Sequence, residues 1–99
     1  VSLSSTPVLL GAEAAMLAGV RSSLHAANRQ GLADYSLVQS LSADILLGVL
    51  VDPQTSGGLL ATVAAAKADE CIHALHQAGY GKAAIIGQIT ATGTSEVTA

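Results

Sequence analysis

Ninety-nine residues suffice for one compact domain, or a piece of one, and not for two. Hydrophobic residues make up 51% and charged residues 11%, a balance that excludes an intrinsically disordered tail. Four Lys plus Arg against seven Asp plus Glu give a net charge of −3 with no basic run, so nothing here grips nucleic-acid phosphates without regard to sequence.

Taken in chain order, residues 1–8 alternate loosely around Pro7 and read as a short strand or extended entry. Leu9 to Ala18 is rich in helix formers, and Gly19 stands where a C-cap glycine would. Ser22 or Ser23 can cap a second short helix through Leu24, Ala27 and Asn28, closed by Gly31. Residues 32–42 read as a loop anchored by Tyr35 and Leu37, and Ser42-Ala43-Asp44 can begin a helical turn. Residues 45–51 are short, branched and apolar, which suits a strand buried on both faces, although periodicity alone leaves a helix turn open. This longest apolar run is far below the roughly 20 residues of a membrane span, so the chain is not expected to cross a bilayer.

Asp52-Pro53-Gln54-Thr55-Ser56-Gly57-Gly58 is a break, followed by an expected strand over 59–63. Residues 64–78 are the clearest helix, with Ala68, Cys71, Ile72, Leu75 and Gly79 on one face. A third strand is expected over 85–90, and residues 91–99 read as a flexible polar tail. The fold class is α+β (α/β layers), a mixed β-sheet with helices packed on it. Alanine supplies 19 of the hydrophobic residues and there is no Phe or Trp, so the core rests on 14 Leu, 5 Ile and 8 Val and is thin. With Val1 rather than Met at its start, the chain is expected to be a single partial domain from a longer protein.

The 52–58 loop is the segment that packing explains least. Thr55, Ser56, Gly57 and Gly58 offer hydroxyls and accessible N–H groups that can form an anion nest, and Asp52 can support its own loop or a divalent cation. The plainer reading is an Asx-Pro turn whose glycines permit positive φ. No GxxxxGK[ST] pattern is present, so this is not a P-loop. Arg21, Ser22, Ser23 and His25 form a second candidate, an anion contact at a glycine-bounded turn, against an ordinary cap plus a surface Arg. Cys71 lies on the buried helix face beside Asp69 and Glu70, a setting for an inert thiol and not a nucleophile. One cysteine excludes an internal disulfide framework and fits a reducing compartment. His73 and His76 have a spacing two metal ligands can use, but only Asp69 is near, and solvated histidines are the simpler reading; Asp69 and His73 can pair at i, i+4. No metal site is expected within these residues.

The string Val51-Asp52-Pro53-Gln54-Thr55-Ser56-Gly57-Gly58-Leu59-Leu60 closely resembles the DPQTSGGLL signature of the selenophosphate synthetase (selenide, water dikinase) family. Residues 19–25 with Asn28 resemble that family's glycine-arginine-serine segment, and Gly79-Tyr80 with residues 83–87 its closing helix, turn and strand. The resemblance covers most of residues 7–90. It implies the C-terminal α+β domain of the aminoimidazole ribonucleotide synthetase-like fold, here incomplete, shared also with a hydrogenase maturation factor. It implies a cytoplasmic phosphotransferase that converts selenide, ATP and water to selenophosphate, AMP and phosphate with Mg2+. In that family an N-terminal domain builds the homo-oligomer and binds nucleotide; its catalytic Cys or selenocysteine, nearby Lys and magnesium-holding aspartates have no counterpart here. The implied role of this segment is to support and partly line the active-site cleft, with Asp52, Gln54, Thr55, Ser56, Gly57 and Gly58 nearest phosphate. No catalytic residue is expected in it, and no ATP or Mg2+ is expected to bind the segment alone. The rival is a non-catalytic scaffolding or binding module that retains the fold. A relative acting on carbamoyl or ribonucleotide substrates is a third option, which Gln54 before Thr55-Ser56-Gly57-Gly58 argues against.

Overall fold

The computed structural model describes residues 1–32 and 44–91. Of the loop expected over 32–42 and the tail expected over 91–99, residues 33–42, with Tyr35 and Leu37, and 92–99 lie outside the described residues, as does Ala43. Helices α1 (Ala12–Leu17), α2 (His25–Gln30), α3 (Ile45–Val51) and α4 (Ala68–Gln77) follow in order, the last led in by a 3-10 turn over Ala65–Lys67.

Two of these helices end as the glycines predict. At α1, Gly19 takes φ +85°, its N–H donates to Met16 O, and the Val20 N–H donates to Ala15 O. At α4, Gly79 takes φ +97°, with its N–H on His76 O and the Tyr80 N–H on Leu75 O. Both are Schellman turns, in which a left-handed residue lets two N–H groups close the orphan carbonyls of the last turn. Helix α2 ends differently, because Gly31 is right-handed at φ −61°. Nor does a serine cap it through the helix bonds. The Ser22 Oγ accepts the Leu24 N–H at 3.2 Å, one residue short of the helix.

The strand expected over 45–51 is a helix. Asp44 decides it: its Oδ1 accepts the N–H of Leu46 at 2.7 Å and of Leu47 at 3.4 Å, satisfying donors that a helix start leaves orphaned. Three leucines, good helix formers, outweigh the β-branched Ile45, Val49 and Val51. The helix stops after Val51 because Asp52 precedes Pro53, which forces it out of the helical region; Asp52 sits at ψ 122°.

The mixed sheet is therefore not found among the described residues. Residues 59–63 and 85–90 carry no regular secondary structure. Strand propensity reflects fit to a half-buried pleated surface. Leu59, Leu60, Val63, Ile85 and Ile89 are all exposed and have no such surface beneath them. The Ser2 N–H donates to Ile86 O at 2.8 Å, which ties the N-terminal segment to this stretch without forming a strand.

Helix α3 is the centre of the packed half, touching both α1 and α2. Leu47 (0% exposed) and Leu3 (1%) form the core, with Leu32, Leu46 and Val51 packed against them. Met16 of α1 is buried beside Gly48, where an added Cβ would lie 3.4 Å from both Met16 Cγ and Sδ. Helix α4 packs on its 3-10 turn and on none of α1–α3. Its half-buried residues are Ala68, Cys71, Ile72 and Leu75, the face that the periodicity predicts.

Candidate functional site

The α1 Schellman turn sends residues 20–24 back across the end of α3, and this brings together the two candidate segments. The Ser22 N–H donates to Asp52 Oδ1 at 3.0 Å. The first residue of α2, His25, reaches the same oxygen through Nδ1, also at 3.0 Å. A carboxylate oxygen that already accepts a backbone N–H can only accept again, so His25 donates from Nδ1. The two side chains are 10% and 14% exposed. One turn further along α2, the Asn28 amide donates to Val51 O at 2.9 Å. Asp52 thus clasps the start of α2 to the end of α3. Gln54 adds a bond from Nε2 to Asp52 O at 3.3 Å.

Beyond this clasp the loop opens to solvent. Gln54 to Gly58 are exposed, and no hydrogen bond holds Thr55, Ser56, Gly57 or Gly58 to any partner among the described residues. Neither Gly57 nor Gly58 lies at positive φ, which corrects the reading of these glycines as conformational necessities. Their use is space: a Cβ on Gly58 would meet nothing within 4 Å, and one on Gly57 only Gln54 Cβ at 3.5 Å. The N–H groups and hydroxyls of this tip remain free for an incoming acceptor.

On the other side of the clasp lies a cleft of about 570 Å³, lined by Met16, Arg21, His25, Arg29, Asp44 and Gly48 among others. Arg21 and Arg29 make no ion pair among the described residues. The serines contribute less than the sequence suggests. Ser22 gives its N–H to Asp52 and its Oγ accepts the Leu24 N–H, and Ser23 makes no hydrogen bond among the described residues.

A family model for the C-terminal domain of AIR synthase related proteins matches residues 9–99. The chain belongs to that family. No curated protein and no solved structure matches it. Membership implies an AIR synthase-like fold and places the chain among relatives that include ATP-using enzymes.

Within this AIR synthase related domain the other polar candidates fall to structural roles. His76 donates from Nε2 to Ala83 O at 2.8 Å and closes the turn after α4. His73 and Asp69 are exposed and do not pair; Lys67 and Glu70 form the surface ion pair instead, at 2.6 Å. Cys71 is half-buried on the apolar stripe. Among the described residues no group of three His, Cys, Asp or Glu side chains could hold a metal ion. Asp52 is also a poor start for one, since its Oδ1 already carries two protein donors. No helix among the described residues is long and apolar enough to cross a membrane.

The sequence reading missed Arg29 and the pairing of His25 with Asp52. The signal for Arg29 is present: it lies four residues after His25, hence on the same face of α2.

Proposed function

We propose that this domain is the later part of the C-terminal half of a selenophosphate synthetase, supporting and partly lining a cleft whose nucleophile and metal site lie elsewhere in the parent protein. The observation that carries this reading is the clasp at Asp52. The resemblance rests on separate stretches, residues 19–28 and 51–60, and the clasp joins them through Ser22, His25 and Asn28. A signature of two distant stretches whose side chains hold one another is a unit of structure, and not a chance match of composition. The clasp leaves Thr55 to Gly58 projecting with free donors, an arrangement suited to phosphate oxygens. In this reading ATP and selenide are the parent's substrates, Mg2+ is held by the N-terminal domain, and that domain also builds the homo-oligomer.

The test is the parent protein supplied with ATP, Mg2+ and selenide, followed by phosphorus NMR. Selenophosphate with AMP and phosphate in equal amounts is the expected result. The isolated 99 residues should give no AMP, because Cys71 is half-buried on an apolar helix face and no other thiol is present. A parent that consumes no ATP with selenide would move the domain to the rival reading, a scaffolding or binding module with the same fold. The full engagement of Asp52 Oδ1 by protein donors is the observation that favours that rival.

A further inference from the structure

We infer that the cleft between α1, α2 and α3 is a second anion site, distinct from the 52–58 loop, which takes a small molecule bearing a diphosphate or comparable phosphate group between Arg21 and Arg29. Three observations carry it. Both arginines line the cleft, and neither side chain has an ion-pair or hydrogen-bond partner among the described residues. Two guanidinium groups facing one space repel each other until an anion lies between them, and their planar forks suit phosphate oxygens.

The second observation is that the acids nearby are already engaged. Asp44 also lines the cleft, but its Oδ1 is committed to the Leu46 and Leu47 N–H groups as the α3 cap. Asp52 is turned to Ser22 and His25. Among the described lining residues two arginines outnumber the one acid, Asp44, although the whole chain is at −3.

The third observation is shape. At about 570 Å³ the cleft lies within the range of small-molecule sites, roughly 300–1,000 Å³. Its apolar lining includes Met16 and Gly48, which pack against each other. Charged and apolar lining together suit a phosphate attached to a less polar body. The inference does not rest on the selenium reading, since it uses neither Thr55 to Gly58 nor selenide, and it replaces the sequence-based expectation that the segment alone binds no ATP.

The experiment titrates the 99-residue chain with pyrophosphate and, separately, with ATP, following the arginine Nε–H signals by NMR. Neither arginine side chain has a partner among the described residues and neither is fully buried, so their replacement should leave the fold in place; matched circular dichroism of each variant checks this. Saturable shifts at Arg21 and Arg29 are expected, with affinity falling at least tenfold in Arg21→Gln and in Arg29→Gln. Lys82→Gln, an exposed cation that does not line the cleft, should leave affinity unchanged. Tighter binding of ATP than of pyrophosphate would identify a nucleotide as the occupant, and the reverse order a free phosphoanhydride or phosphoester. The inference is overturned if neither ligand saturates, if Lys82→Gln weakens binding as much as the arginine variants, or if the double variant binds like the original. Failure here with selenophosphate formed by the parent sinks only the second site. Binding here by a chain whose parent lacks dikinase activity sinks only the selenium reading.

Discussion

One oxygen of Asp52 does the work of a joint. Its Oδ1 takes the Ser22 N–H and the His25 Nδ1–H, and its main-chain oxygen takes Gln54. Removing a buried acceptor leaves its donors without water and without partners, which costs about 1–3 kcal/mol per donor. Asp52→Ala should therefore destabilise the chain by roughly 2–4 kcal/mol, read as a shift in the urea midpoint. Asp52→Asn keeps an acceptor oxygen in the same place and should lose only about 1 kcal/mol, the part due to charge. Equal losses in the two variants would mean that charge, and not the acceptor, holds the clasp. The same contacts explain why the acid at 52 looks functional in the sequence: it stands next to the open loop tip but faces away from it.

At the scale of elements, α3 depends on its cap more than a longer helix would. Seven residues leave few internal bonds, and isolated helices of this length do not persist in water. Asp44→Ala should cost about 1 kcal/mol and speed amide exchange at Leu46 and Leu47 before it changes exchange in α1. Unchanged exchange at those two amides would show that packing alone holds the turn. This helix also marks where sequence reading reached its end. Helices α1 and α4 were legible because glycine at a left-handed closing position is a local requirement, written in one residue. The α4 face was legible because Ala68, Cys71, Ile72 and Leu75 repeat at helical spacing. Residues 45–51 carry no such period, since apolar residues occupy every position but Gly48, and the deciding signal is the acid at 44 that precedes them. Two candidate segments were visible around Arg21 and Asp52. Their union through His25 was not, because it depends on α2 and α3 packing side by side, which no local pattern encodes. Arg29 differs, since its i+4 spacing from His25 is itself a local signal.

At the scale of the molecule, surface is the governing quantity. A self-contained monomer of this mass is expected to expose about 5,200 Å². This chain exposes 7305 Å², with Leu59, Leu60, Ile85 and Ile89 open among the excess. Uncovered apolar side chains drive association, and few charges here oppose it. We propose that copies of the isolated chain bury these residues against one another, and light scattering at high micromolar concentration should give a mass of twice 9.8 kDa or more. A strictly monomeric species would show that the apolar segments find cover within one chain. The isolation of α4 has a different consequence. It packs on no other helix, and the bonds at its closing end, from Tyr80 to Leu75 and from His76 to Ala83, are local. We expect α4 to melt and reform while Leu3 and Leu47 stay packed, so that its amides report a sub-global opening that a cavity made at Leu47 leaves unchanged; equal acceleration of exchange in α4 and α3 in Leu47→Ala would show one cooperative unit.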